Sequence, residues 1–210
     1  AGGLRSAKAP EVNWSLLDQR CAILAEAQRW GANLLALQEC EQSDPYAELI
    51  GSGYAFVGSA PAPEARGHVH LYVRGPLRAE RLDIDPRDAG AAAVMARVHL
   101  EDARGFVAVA VHLPAGKGAA GRRGALLTRV MDVAGKAASA RTLGVLVLGD
   151  CNARDEEIGS LCQDTDVREA RYSGYSWCPR QNKFFADNDF DGPGLRFDRI
   201  LCSGALWAEA

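Results

Sequence analysis

The run Val145-Leu146-Val147-Leu148-Gly149-Asp150-Cys151-Asn152-Ala153-Arg154-Asp155 sets the tightest limit on what this chain can fold into. Its aliphatic, partly β-branched start has no polar face, so the segment reads as a strand buried on both sides. Such a strand needs cover above and below, which points to a layered architecture. The run then ends in glycine and presents Asp150, Asn152, Arg154 and Asp155 in quick succession. A rigid sheet can hold side chains placed this way at the mouth of a cleft. The same residues also suit an Asx-type turn, in which Asp150 and Asn152 bond only nearby backbone.

The rest of the chain supplies the other layers. Leu17, Cys21, Leu24 and Ala27 recur at helical spacing, while Asp18, Arg20, Glu26 and Arg29 can turn outward. The spacing predicts a helix over 14–30 packed on a sheet and closed by Gly31. Short strands are expected at 34–37, 54–57 and 68–73, with a Pro- and Ala-rich loop around Pro61 and Pro63. A hairpin fits 92–100 and 106–113, turned at 101–105. A helix over 124–138 follows, with Leu126, Leu127, Val130 and Val133 as its apolar positions. A last strand is expected at 197–202, and the polar, irregular stretch 155–196 is left without elements. No repeat is visible. Residues 1–12 read as a flexible lead-in, and 13–210 as one α/β domain.

Charge narrows the partners. A net charge of -3 gives no global basic footprint. Affinity for a polyanion would therefore need a local groove or a metal. Cys21, Cys40, Cys151, Cys162, Cys178 and Cys202 lack CxxC spacing, which suggests neither a zinc site nor a disulfide framework. Buried thiols fit a reducing, intracellular compartment, nuclear or cytoplasmic. No apolar run reaches membrane-spanning length, so no membrane partner is expected.

One device recurs along the chain: an apolar strand that ends in a chemically capable residue. The 34–37 segment closes on Gln38-Glu39, Val107–Val111 on His112, and Val145–Leu148 on Asp150 and Asn152, while the last strand carries Asp198. If these ends meet, they place Glu, Asp, Asn and His around one cleft. Mg²⁺ is held by one or two carboxylates and keeps several waters, which suits Glu39. Phosphoryl chemistry also benefits from a carboxylate that activates water, here Asp150, and from donors such as Asn152, His112 and Arg154.

Taken singly, each residue has a plainer reading. Glu39 suits a solvated charge ahead of Ser43-Asp44-Pro45, and His112 a satisfied strand-end histidine. Asp198 suits a surface ion pair with Arg196 or Arg199. Arg122 and Arg123 suit solvated charges near a helix start, and Trp177 a core or loop anchor. His68, His70 and His99 read as structural. These readings do not account for the four strand-end devices occurring together.

The ordered set resembles the endonuclease/exonuclease/phosphatase superfamily. Leu37-Gln38-Glu39 resembles its LQE motif, His112-Leu113 its HL motif, Gly149-Asp150-Cys151-Asn152 its GDxN motif, and Phe197-Asp198-Arg199-Ile200 its late aspartate motif. Within it, the run from Gly149 to Glu157, with Ser176-Trp177, Asn182 and 195–200, is similar to the phosphodiesterases that act on 5′-tyrosyl DNA. The resemblance implies a four-layer α/β sandwich of two mixed sheets with helices outside. It also implies Mg²⁺-dependent phosphodiester hydrolysis, with Mn²⁺ as a possible substitute, at a nucleic-acid 5′ end. By it, Glu39 would hold the metal, Asp150 would activate water, Asn152 and His112 would bind the phosphate, and Asp198 would be the catalytic late aspartate that pairs with the family's final histidine. Arg123, Arg154, Trp177, Asn182 and Phe197 would contact substrate. The family's first strand with its asparagine and its final Ser-Asp-His motif have no counterpart in the 210 residues. That departure leaves a fragment of a longer enzyme, an inactive scaffold of the same fold, or a hydrolase of another phosphate ester as alternatives.

Overall fold

The computed structural model describes residues 16–62, 67–83, 92–170, 174, 176 and 194–206. Helices α1 (Leu16–Arg29) and α2 (Ala47–Gly51) precede and follow strand β1 (Leu34–Cys40). Strands β2 (Tyr54–Pro61) and β3 (His68–Arg74) complete an antiparallel sheet in the order β1-β3-β2. The second sheet is built from β4 (Arg78–Leu82), β5 (Ala92–His99), β6 (Gly105–His112), β7 (Thr142–Asp150), β8 (Arg168–Glu169) and β9 (Asp198–Cys202). Its order is β4-β5-β6-β7-β9-β8. Among the described residues only β6 and β7 run parallel, and helix α3 (Ala120–Ala137) makes the crossover that a parallel pair requires. Helix α4 (Asp155–Asp164) follows β7 directly.

Side-chain alternation sorts the core into three seams. Ala27 of α1 and Leu49 of α2 pack on Leu37, Tyr54 and Tyr72 of the first sheet. Val69 and Leu71, the alternate residues of β3, face Val94, Ala96 and Ala110 of the second sheet. Val107, Val109, Val111 and Val147 face Leu127 and Val130 of α3 and Ile158 of α4. The result is helix, sheet, sheet, helix: the four layers expected, with two sheets face to face. Strand β6 lies under both neighbouring layers and is buried at every position, as a near-continuous apolar strand must be.

Three differences from the sequence reading have physical causes. Helix α3 starts at Ala120, because Gly121, Arg122 and Arg123 carry no apolar periodicity yet extend the helix toward the β6 exit. Strand β4, Arg-Ala-Glu-Arg-Leu, is a charged edge strand with little apolar alternation. Helix α4 occupies part of the stretch left without elements. Among the described residues, no helix is long and apolar enough to cross a membrane.

Candidate active site

Strand register assembles the first part of the site. His112 of β6 pairs with Asp150 of β7, and Asp150 pairs with Asp198 of β9. Directly paired residues project on the same face of a sheet, so the three form a row across adjacent strand ends. They lie on the face that Ala108 and Ala110 turn toward the first sheet. His112 Nε2 stands 3.7 Å from Asp150 Oδ2, close enough for electrostatic coupling but beyond a hydrogen bond.

Glu39 comes from the opposite sheet, and a bulge aims it. Leu37 pairs with His70 and Cys40 with His68, so β1 spends one more residue than β3 over this interval. Bulges of this kind redirect a side chain at the end of regular pairing. Glu39 itself has φ 54°, a backbone region that non-glycine residues rarely occupy. Its neighbour Gln38 is buried and reaches the second sheet. A Cβ added to Gly149 would lie 2.8 Å from Gln38 Nε2 and 2.2 Å from the Val111 carbonyl oxygen. Gly149, with φ 138°, is therefore the residue that lets the LQE and GDxN segments approach.

The turn after β7 shows that the two readings of Asp150 coexist. Asp150 Oδ1 accepts the Asn152 N–H at 2.8 Å, an Asx turn, while Asn152 Nδ2 donates to the Leu113 carbonyl at 2.9 Å. Asn152 has φ 48°, tolerable for an Asn. Its side chain is thus tied to the chain segment that follows His112, and one amide N–H remains beyond that bond. Ser176 Oγ accepts the N–H groups of Phe197 and Asp198 at 2.8 and 3.0 Å, fixing the start of β9.

Burial and neighbouring carboxylates set the electrostatics. The Asp150 carboxyl is pushed up to about 6, first by burial, then by the charge of Asp198 and, more weakly, Glu39; the Asn152 N–H opposes. Burial holds His112 below its ordinary value against the pull of the same two carboxylates. His112 Nδ1 and Gln38 Nε2 are buried without a hydrogen-bond partner among the described residues. A buried carboxyl raised by the charges of two neighbouring carboxylates suits a hard cation, which would relieve the repulsion on Asp150. Among the described residues, no three His, Cys, Asp or Glu side chains close into a ready-made cage.

Other predicted residues fall in different places. Arg154 and Phe197 line a pocket of about 110 Å³ with Asp155, Leu195 and Arg196, on the α4 side of the row. Arg123 is 2% exposed. Its guanidinium donates to Glu157 at 2.9 and 2.7 Å and to the carbonyls of Pro114 and Gly116 at 3.1 and 2.7 Å. Those bonds join the segment after His112 to α4. Trp177 and Asn182 lie outside the described residues. The sequence reading missed Glu157 as the partner of Arg123, and it missed the fully buried Arg199. Arg199 bonds Glu169, Asp155 and the Ala153 carbonyl, bracing β9 against the α4 start. Helical spacing of Ile158, Leu161 and Cys162 behind three acidic residues was the available signal for α4.

The comparisons agree with this architecture. The Endonuclease/Exonuclease/phosphatase family model matches residues 12–210. A crystal structure of D. rerio TDP2 complexed with single strand DNA product superposes with a TM-score of 0.68 at 18% identity, over 92% of this chain and 80% of that one. The human Nocturnin catalytic domain with bound sulfate gives 0.65 at 17% identity, over 92% and 76%. The Bacteroides thetaiotaomicron mannosyl-6-phosphatase gives 0.60 at 17% identity, over 88% and 76%. At these identities the likeness is one of fold. No curated protein matches the chain. The family match over nearly the whole length, on a fold shared with these structures, makes the chain a member of the endonuclease/exonuclease/phosphatase family.

Proposed function

We propose that the chain is a Mg²⁺-dependent phosphodiesterase that removes tyrosyl adducts from DNA 5′ ends. The observation that carries this reading is the row His112–Asp150–Asp198 facing Glu39 across two sheets, with the Asp150 carboxyl pushed up to about 6. Glu39, as an aimed carboxylate, would hold the ion, which supplies positive charge against the phosphate oxygens when bound. Asp150 orients the attacking water and takes its proton; a carboxylate base with raised proton affinity suits that transfer. Asn152, with one amide N–H left, and His112, whose Nε2 stands beside Asp150, donate to the phosphate oxygens as charge develops. Asp198 keeps Asp150 and His112 electrostatically coupled.

The pocket beside the row is lined by Arg154, Arg196 and Phe197. A guanidinium pair with an aromatic face suits a nucleotide next to the scissile phosphate. Arg123 serves as a clamp rather than a substrate contact, because all its bonds are internal. Support for the tyrosyl-DNA substrate comes from the sequence motifs and from the fold shared with TDP2. The fold shared with a sugar phosphatase and Nocturnin makes other phosphate esters the comparison substrates. With Mg²⁺ present, the chain is expected to release tyrosine from a 5′-tyrosyl oligonucleotide, and Asp150→Asn is expected to lower turnover at least ~1000-fold. Undiminished turnover in that variant refutes the assignment, and preference for a sugar phosphate over the oligonucleotide refutes the substrate.

A further inference from the structure

Glu39 occupies a positive-φ conformation, and such a residue persists only where its surroundings over-determine it. Two structures do so here. On one side Gly67 lies against its carbonyl: an added Cβ would stand 2.4 Å from the Cys40 oxygen and 2.9 Å from the Glu39 carbonyl carbon. The other is a buried hydrogen-bond relay that the proposed chemistry does not use.

The relay centres on His70, fully buried and opposite Leu37 in the last regular pair before the bulge. Its ring is walled by Tyr46, Phe56 and Tyr72 at centroid distances of 5.3, 5.2 and 5.8 Å. Nε2 lies 2.8 Å from the Gln42 carbonyl oxygen. That oxygen can only accept, so Nε2 carries the proton. Nδ1 lies 3.0 Å from the Tyr72 hydroxyl, whose oxygen already accepts the Tyr46 N–H at 2.9 Å. The Tyr72 proton therefore points to Nδ1. Every polar atom of the relay is satisfied by neutral His70 in this one tautomer.

Resting on the reading of Glu39 as the metal-holding carboxylate, we propose that His70 and Tyr72 are positioning residues for Glu39. The relay grips the loop that leaves the bulge at both ends, through the Gln42 carbonyl and the Tyr46 amide. Just ahead of the first point, Glu41 accepts the Tyr46 hydroxyl at 2.7 Å and pairs with Arg20. With both ends pinned, the bulge cannot relax its left-handed residue, and the carboxylate stays aimed at the row on the second sheet. Without the relay, the segment returns toward ordinary backbone and the carboxylate swings off its line.

The test uses Tyr72→Phe, which removes one hydroxyl and keeps the ring packing. Tyr54→Phe is the control, since the Tyr54 hydroxyl bonds the Ala32 carbonyl at the other end of the same sheet. Mg²⁺ binding is measured by calorimetry, and Mg²⁺ dependence of turnover separately. Tyr72→Phe is expected to raise the Mg²⁺ Kd about 10-fold, as loss of a supporting contact around a metal ligand does. Turnover at saturating Mg²⁺ stays near that of the parent. Tyr54→Phe leaves the Kd unchanged even if it lowers the melting temperature equally. His70→Gln keeps a donor for the Gln42 carbonyl and is expected to bind Mg²⁺ more tightly than His70→Ala. A parent-like Kd in Tyr72→Phe, or an equal shift in Tyr54→Phe, overturns the positioning role alone. Mg²⁺ binding that survives Glu39→Gln, or is absent from the parent, overturns the metal reading and the relay's role with it.

Discussion

Glu157→Gln offers the sharpest test of how the site is braced. Arg123 is buried, with its side chain 3% exposed and that of Glu157 20% exposed. The guanidinium makes a two-pronged contact with the carboxylate and two further bonds to the carbonyls of Pro114 and Gly116. An amide can accept at only one of its two former carboxylate positions, and it removes the counter-charge. Breaking a fully buried pair by losing one partner costs about 3–5 kcal/mol. Partial exposure of Glu157 and the two retained carbonyl bonds reduce the expected cost to about 2–3 kcal/mol. For a chain of this size that corresponds to a melting-temperature fall of about 4–12 °C. The acid limb supplies a second signature. Arg123 holds the Glu157 carboxyl below its ordinary range. A depressed folded-state value means the pair's contribution is present above the unfolded value, about 4.3. It is lost as pH falls through the folded value. Urea denaturation at neutral pH and again near pH 3 should show the variant's deficit shrinking on the acid side. Arg123→Met combined with Glu157→Gln should cost less than the sum of the singles by about 1–2 kcal/mol. A loss below about 0.5 kcal/mol, or strict additivity, refutes the clamp.

Two further predictions concern the row itself. A raised Asp150 value means the folded chain binds this proton more tightly than the unfolded one. Stability is then full below the unfolded value near 3.9 and falls as pH rises through about 6. At pH 7 with chelator present, Asp150→Asn, which keeps an acceptor for the Asn152 N–H, should be about 1–2 kcal/mol more stable than the parent while inactive; equal stability refutes the like-charge argument. Gly149→Ala should destabilise by about 3 kcal/mol or more, because its Cβ meets the Val111 backbone of the neighbouring strand at a φ that L-residues avoid; a soluble variant with parent melting behaviour contradicts the close packing of Gly149 against β6 and Gln38.

The layers were legible because their signals are one-dimensional. Val107 to Val111 and Val145 to Leu148 lack a polar face, and α1 and α3 carry apolar stripes, so period and length identify them. The motif residues were legible because each closes such a strand. What escaped was set by pairing between distant segments. Strand β4 is specified by its register with β5, not by its own charged sequence. Arg123 read as a solvated charge or a substrate contact until Glu157, from a helix that had not been assigned, came beside it. Arg199 read as a surface ion-pair partner of Asp198, yet alternation along β9 turns it to the opposite face, where it meets Asp155 and Glu169. His70 gave no sign of a role, since its partners Gln42 and Tyr72 are joined only by the β1–β3 pairing.

The site concentrates conformations and charges that do not favour folding by themselves. Glu39 and Asn152 have left-handed backbones, Asp150 faces two other carboxylates, and Gln38 Nε2 and His112 Nδ1 are buried without partners among the described residues. Each costs on the order of 1–3 kcal/mol. They survive because each is attached to a part of the fold that cannot adjust. Glu39 sits between Gly67 and the His70 relay, Asn152 is tied to Leu113, and Asp150 ends a strand whose neighbours on both sides are hydrogen-bonded. The bracing ion pairs, Arg123–Glu157 and Arg199–Asp155, lock the turn after β7 from the helix side of the second sheet, and Asp155 and Arg199 also line the pocket of Arg154. Rigidity is thus carried largely from the helix side of the second sheet, and chemistry from the face turned to the first. Charge-removing substitutions on the cleft face should therefore stabilise the chain while abolishing turnover. Substitutions on the far face should weaken both, and a far-face variant that unfolds more easily yet binds Mg²⁺ and turns over normally would break that division.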